Sequence, residues 1–267
     1  MKRRHLIEIE DQSWCPRAVR DGLTDYLQFI LGATNTYGAA KPIISRSLQR
    51  LGTARVVDLC SGAGGPWPSL QADLAKAGLS ISVCLTDRYP NLQALQGSKG
   101  VAQRTIIYYP EPVDATQVPS ELTGFRTMFT AFHHFHPEHA AAVLADAVSK
   151  RQGIGIFEGT ERSLLALVLM LFTPVMMLVV TPLIRPFRWS RFLWTYVVPV
   201  VPAVVLFDGM VSCLRSYNAE ELRALAAKLA AKDYHWEIGK VKSDTSLIPI
   251  TYLIGMPIGS SHAANSG

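Results

Sequence analysis

The chain has 267 residues, 49% hydrophobic and only 18% charged, with a net charge of +5 and a mean hydropathy of +0.18. Ordinary soluble domains carry about 25% charged residues, so bulk disorder and a disulfide-stapled mini-protein are both excluded. The length suits one α/β domain with a large insertion, and the positive balance fits nucleic acid, an anionic membrane surface or an anionic ligand without selecting among them.

Lys2-Arg3-Arg4 is followed by Leu6-Ile7 and at once by Glu8, Glu10 and Asp11, so no secretory signal is expected. Val19, Leu23, Tyr26, Leu27 and Ile30 recur at helical spacing. Ile43, Ile44, Leu48 and Leu51 predict a second helix begun near Pro42, with a loop over 32–38 between them. From Arg55 the rhythm changes to strand, turn and helix. Strands are predicted at 55–59, 81–86, 105–109, 125–130 and 153–157. Helices are predicted over 66–77, entered through Pro66 and Pro68 and stopped at Gly78, and over 137–150.

After strand five comes an apolar stretch. Ser163 to Ile184 is a run of 22 residues without charge, bracketed by Arg162 and Arg185, and Phe192 to Phe207 is a second of 16. A continuous helix of the first length would reach about 33 Å at about 1.5 Å per residue, enough for a bilayer core of about 30 Å. A single crossing would strand the last two strands away from their sheet. A spanning hairpin would carry Arg185, Arg188 and Arg191 in its far turn, which the positive-inside rule disfavours. Pro174, Pro182, Pro199 and Pro202 also break both runs. The favoured expectation is monotopic attachment to one leaflet, with the three arginines at anionic headgroups and Trp189 and Trp194 at the interface. A helical lid over the site and a homodimer interface are the alternatives.

Asn218 with Glu221 three residues on predicts a capped helix bearing Leu222, Leu225, Ala226 and Leu229 on one face. Strands follow at 234–241 and 249–255, and 259–267 reads as a flexible tail. The alternation implies an α/β fold whose mostly parallel sheet has helices on both faces. The segments are a helical cap (1–52), a core (53–160), the apolar insert (161–217), the rest of the core (218–258) and the tail.

Chemistry concentrates where strands end. Asp58-Leu59-Cys60-Ser61-Gly62-Ala63-Gly64-Gly65 closes the first strand, and glycines there let a ligand approach the backbone. Asp87 ends the second strand, placed to accept hydrogen bonds from both hydroxyls of a ribose. Asp114-Ala115 follows the third, where an Asp accepts from an adenine amino group. Together these resemble the class I S-adenosylmethionine (SAM) methyltransferases. Asp58-x-Cys60-x-Gly62-x-Gly64 matches that family's first motif, with Cys60 where glycine is commoner. Phe129-Thr130-Ala131-Phe132-His133-His134-Phe135 resembles the fourth strand and its exit in the quinone C-methyltransferase-like branch. The resemblance spans 53–160 and 218–257. It implies a Rossmann-like seven-stranded, mostly parallel sheet with an antiparallel last strand, and SAM as cofactor. It implies cofactor contacts from Asp58, Cys60, Ser61, Gly62, Gly64, Gly65, Asp87, Arg88, Asp114, Ala115 and Thr130.

The histidines His133 and His134 are the candidate catalytic bases, at the sheet's catalytic edge. The spacing of His133, His134, His136 and His139 supports no metal site, and Cys15, Cys60, Cys84 and Cys213 form no CxxC pair. Trp14, Glu158, Asp208, Arg215 and Tyr217 are candidate acceptor contacts. An Asp208–Arg215 pair fixing a turn is the structural alternative. The expected acceptor is a hydrophobic or amphipathic small molecule or lipid. The expected location is cytoplasmic, including the cytoplasmic membrane face. A nucleic-acid acceptor lacks support, because there is neither an Asn/Asp-Pro-Pro-Tyr/Phe motif nor a basic stripe with interleaved aromatics. A non-catalytic SAM-binding protein is the remaining alternative.

Overall fold

The computed structural model describes residues 1–90, 105–229 and 231–259. Seven strands, β1 (Arg55–Asp58), β2 (Ser82–Leu85), β3 (Ile106–Tyr108), β4 (Phe125–Phe129), β5 (Ile154–Glu158), β6 (Tyr234–Val241) and β7 (Ile250–Pro257), form one sheet. Its order is β3-β2-β1-β4-β5-β7-β6. The first five strands run parallel, and β7 is antiparallel to both of its neighbours. This is the Rossmann-like sheet with its reversed last strand. Strand order turns back between β1 and β4, so the crevice for a ligand lies at the carboxyl ends of these two.

Strand alternation divides the core. On one face Val56, Val83, Phe125 and Phe157 meet Ile44 and Leu48 of α2 (Lys41–Leu51) and Leu70 and Leu74 of α3 (Trp67–Lys76). On the other, Val57, Met128, Ile156 and Leu253 meet Val143 and Leu144 of α4 (Pro137–Ser149) and Leu222 of the helix Ala219–Lys228. That last helix has the predicted capping box: the Glu221 backbone N–H donates to Asn218 Oδ1 at 2.8 Å, and the Asn218 N–H donates to Glu221 Oε2 at 2.9 Å. Thr36–Ala40, at the end of the predicted 32–38 loop, is a 3-10 helix that buries Tyr37. The tail assigned to 259–267 lies, beyond residue 259, outside the described residues.

The apolar stretch folds as broken helices, α5 (Leu164–Met170), α6 (Thr173–Val180), α7 (Trp189–Phe192), a π turn (Leu193–Val197) and α8 (Val200–Arg215). Pro174 falls in the first turn of α6 and Pro199 directly precedes α8, because a proline ring is compatible with a helix start and not with its interior. No single described helix is long and apolar enough to cross a membrane. Two bent pairs reach that length, with bends of 40° and 77°. The inner face of the insert packs on α1 (Arg17–Ala33): Val19, Leu23 and Tyr26 join Met177, Val180, Val201 and Val204 in a separate small core.

The arginines of the insert depart from expectation. Arg191 is buried; it pairs with Asp25 of α1 and donates to the carbonyls of Ile184 and Pro186, while Arg188 lies 3.3 Å from the same carboxylate. A buried Asp25 needs a cationic partner, and that need takes two of the three arginines away from any headgroup. Arg185 alone is exposed.

Candidate functional site

The chain leaves β1 through four left-handed positions in six residues, with φ of 55° at Cys60, 53° at Gly62, 107° at Gly64 and 48° at Gly65. A Cβ on Gly62 would lie 3.2 Å from Thr24 Cγ2, so α1 covers the turn closely. Asp58 works beneath it. Its carboxylate accepts from Thr127 Oγ1 at 2.6 Å, and its carbonyl accepts from the hydroxyls of Ser61 and Thr86 at 2.9 and 2.8 Å. Burial pushes the Asp58 carboxyl up to about 7. Asp87 Oδ2 accepts the Gly62 N–H and Oδ1 the Tyr89 N–H, both at 2.8 Å. Burial raises its carboxyl, and these two N–H groups oppose the rise. The Tyr108 hydroxyl donates to the Gly62 carbonyl at 2.6 Å. At Asp114, Oδ1 accepts both the N–H and the hydroxyl of Thr116, an Asx turn that holds the side chain in place.

The glycine turn, Asp87 and Asp114 open onto one cavity of about 570 Å³, within the size range of cofactor sites. Of the residues the sequence singles out, Cys60, Ser61, Gly62, Gly65, Asp87, Arg88, Asp114, Ala115, Thr130, His134 and Arg215 line it. Thr130 sits at the exit of β4 with φ 46°, rare for a β-branched residue; its hydroxyl is hydrogen-bonded to that of Tyr37.

The other predicted residues do not line the cavity. Asp58 and Gly64 are buried below it. Trp14 is 67% exposed. His133 and Glu158 are buried together, with Nδ1 of His133 2.7 Å from Glu158 Oε2, and Glu158 Oε1 accepts the Phe132 N–H at 2.7 Å. Glu158 thus positions the turn after β4 (Phe132–His134) and has no surface to offer an acceptor. Asp208 and Arg215 belong to α8 and not to a turn. Asp208 accepts the N–H groups of Ile9 and Glu10 at 2.8 and 3.0 Å, and Tyr217 donates to the Phe135 carbonyl at 2.8 Å.

What closes the cavity is the segment 5–12, which the sequence marks only as too charged for a signal peptide. His5, Glu8, Glu10 and Asp11 line the cavity with Arg20, Thr24 and Gln28 of α1; residues 161–207 contribute nothing to its wall. The apolar helices of the insert up to residue 207 therefore do not roof this cavity, although Arg215 at the insert's end lines it. Arg215 holds the segment down. Its guanidinium donates to the carbonyls of His133 and His134 at 3.1 and 2.5 Å and lies 3.0 Å from Asp11 and 3.3 Å from Glu8. His134 Nδ1 lies 2.7 Å from Glu8 and 2.8 Å from Asp11. Burial lowers the His134 imidazole, but these carboxylates outweigh it and raise the ring well above its ordinary value. Burial likewise pushes Glu8 up, while His134, His133 and Arg215 hold it down at about 2. The ring nearest the cavity is thus paired with carboxylates, and the other is shut away from it; neither is placed as a free base.

No family model matches the sequence, and no curated relative does. Among solved structures, human N-acetylserotonin methyltransferase in complex with SAM is similar at 12% identity and TM-score 0.49, over 87% of this chain and 56% of that one. The magnesium protoporphyrin IX methyltransferase of Synechocystis with bound SAM is similar at 10% identity and TM-score 0.46, over 85% and 81%. The methyltransferase domain of bacterial CtHen1-CN is similar at 12% identity and TM-score 0.48, over 82% and 97%. With every one of these TM-scores below 0.5, the strand order and register of the chain itself carry the fold.

Proposed function

We propose that the chain is a SAM-dependent methyltransferase acting on a hydrophobic or amphipathic small molecule or lipid at a membrane surface. One observation supports this most: the glycine turn after β1, Asp87 after β2 and Asp114-Ala115 after β3 converge on a single cavity. Each oxygen of Asp87 accepts one backbone N–H and retains acceptor capacity for a ribose hydroxyl. Thr116 occupies only Oδ1 of Asp114, which leaves Oδ2 for an adenine amino group. SAM, when bound, supplies a methyl group already activated as a sulfonium. The protein's part is alignment: the turn brings backbone close to the ligand, and the roof of 5–12 and α1 excludes water.

Calorimetric titration with SAM, followed by incubation of the chain with labelled SAM and total cell extract, tests the reading. Saturable binding and label in an organic-soluble product are expected. Absence of SAM binding overturns it. Binding with no label transferred would instead point to a non-catalytic SAM-binding protein, and label in nucleic acid to that acceptor class.

The membrane surface is supported by where the apolar excess lies. Most of the exposed large apolar side chains among the described residues fall in 164–207, with Leu164 74%, Phe172 61%, Val179 63% and Trp189 76% exposed. Such a patch marks a contact surface, and burying one large side chain contributes about 1.5–3 kcal/mol. The chain is expected to float with anionic phospholipid vesicles, and the triple change Phe172→Ser, Val179→Ser, Trp189→Ser to abolish flotation at unchanged melting temperature. A wild-type chain that stays at the bottom of the gradient overturns the membrane reading. Dimerisation without vesicles, lost in the same variant, would assign the patch to self-association.

A further inference from the structure

We propose that Glu8, His133 and His134 bind a divalent transition metal of the zinc class, which clamps the N-terminal segment onto the exit of β4. A carboxylate oxygen of Glu8, a ring nitrogen of His133 and one of His134 lie within 4.8 Å of one another. Glu8 Oε1 is 3.8 Å from His133 Nε2, and the other oxygen, Oε2, is 2.7 Å from His134 Nδ1. Ligands of a tetrahedral zinc ion, with bonds of about 2.0–2.1 Å, stand about 3.3 Å apart, between these two separations.

Three further features favour an ion over a purely protonic network. First, Nδ1 of His133 is held by Glu158, a carboxylate itself anchored by the Phe132 N–H. Glu158 can only accept, so Nδ1 carries the proton and Nε2 is left facing Glu8. That nitrogen is buried and has no hydrogen-bond partner among the described residues. A carboxylate behind a histidine whose other nitrogen is unpartnered is the usual support of a metal ligand. Second, His134 Nδ1 lies 2.7 Å from Glu8 Oε2, an oxygen without a hydrogen bond of proper geometry, and 2.8 Å from Asp11 Oδ1. One N–H can serve two carboxylates only as a divided, weaker hydrogen bond, whereas a cation between them is shared by all three groups. Third, carboxylates outnumber the fixed cations around these rings: Glu8, Asp11 and, 3.7 Å from His134 Nε2, Glu10 face them, against the guanidinium of Arg215. The donor set of two imidazoles and a carboxylate, with Asp11 the nearest further oxygen, suits zinc and cobalt. The two halves of the set lie far apart in sequence, which hides it from any spacing motif.

The inference does not depend on the cavity taking SAM, and its test reads metal alone. The full chain, stripped with EDTA, is titrated with zinc chloride, and separately with cobalt chloride while the visible spectrum is recorded. About one zinc per chain and a cobalt absorption band are expected. His134→Ala, at a partly exposed position, is expected to abolish both, and His235→Ala on exposed β6 to change neither. Glu158→Gln is expected to weaken zinc about 10- to 100-fold, as loss of a positioning carboxylate does. The proposal is overturned if the wild-type chain takes up no zinc and gives no cobalt band, or if His134→Ala retains both.

Discussion

Asp87→Ala is expected to weaken SAM binding by about 100-fold or more. A hydrogen bond to a charged group contributes about 1.5–3 kcal/mol, and Asp87 is placed to hold two ribose hydroxyls, so two such bonds are lost at once. The change also removes the acceptor for the Gly62 and Tyr89 N–H groups, both at 2.8 Å, and so loosens the turn that brings backbone to the ligand. Asp87→Asn separates the two effects. It keeps one carbonyl oxygen and roughly the same shape but not the charge, so an affinity between wild type and Asp87→Ala is expected. Calorimetric Kd values for SAM measure all three, with melting curves as the control for folding. An unchanged Kd for Asp87→Ala would mean that this carboxylate does not face the cofactor, and the whole placement of SAM over β1–β3 would fall with it.

The sequence carries the features whose causes are local. The capping box at Asn218 and Glu221 is visible because both partners sit three residues apart. The turn after β1 is visible because only glycine adopts its left-handed positions cheaply, although Cys60 does so too, with φ 55°. The breaks in the insert are visible as prolines. What depends on distant partners is not legible. Glu8 and Asp11 read as ordinary surface charge until α8 and the exit of β4 bring Arg215 and His134 against them. His133 reads as a candidate base and Glu158 as a candidate acceptor contact at the catalytic edge, yet the same edge is roofed by the N-terminal segment and buries both. Asp208 reads as an acceptor contact, or as one half of a turn-fixing pair with Arg215, because it is a charge standing just past an apolar run. In the fold it is neither: it lies within α8 and turns its carboxylate to two backbone N–H groups of the segment. An apolar run likewise announces that its surface needs a partner, without telling that α1 covers one face and leaves the other bare.

Arg215→Ala is expected to destabilise the chain by about 3–5 kcal/mol, the cost of leaving a buried charge without its partner. The guanidinium is 2% exposed and serves five groups at once, the carbonyls of His133 and His134, the carboxylates of Glu8 and Asp11 and Nε2 of His5. At about 2–4 °C per kcal/mol for a chain of this size class, the melting temperature should fall by roughly 6–20 °C. Arg215→Lys should recover little of this, because one ammonium on a flexible stem cannot reproduce a planar fork that reaches two carbonyls and two carboxylates. Hydrogen exchange then locates the loss. The strands β4 and β5, buried at every position, should keep their protection in native buffer, while segment 5–12 exchanges faster. Because that segment roofs the cavity, the SAM Kd should rise in step with its exposure even though Arg215 is far from the glycine turn in sequence. A variant that melts and exchanges like wild type would show that the segment is held by other contacts, with Asp208 and its two backbone hydrogen bonds the next to remove.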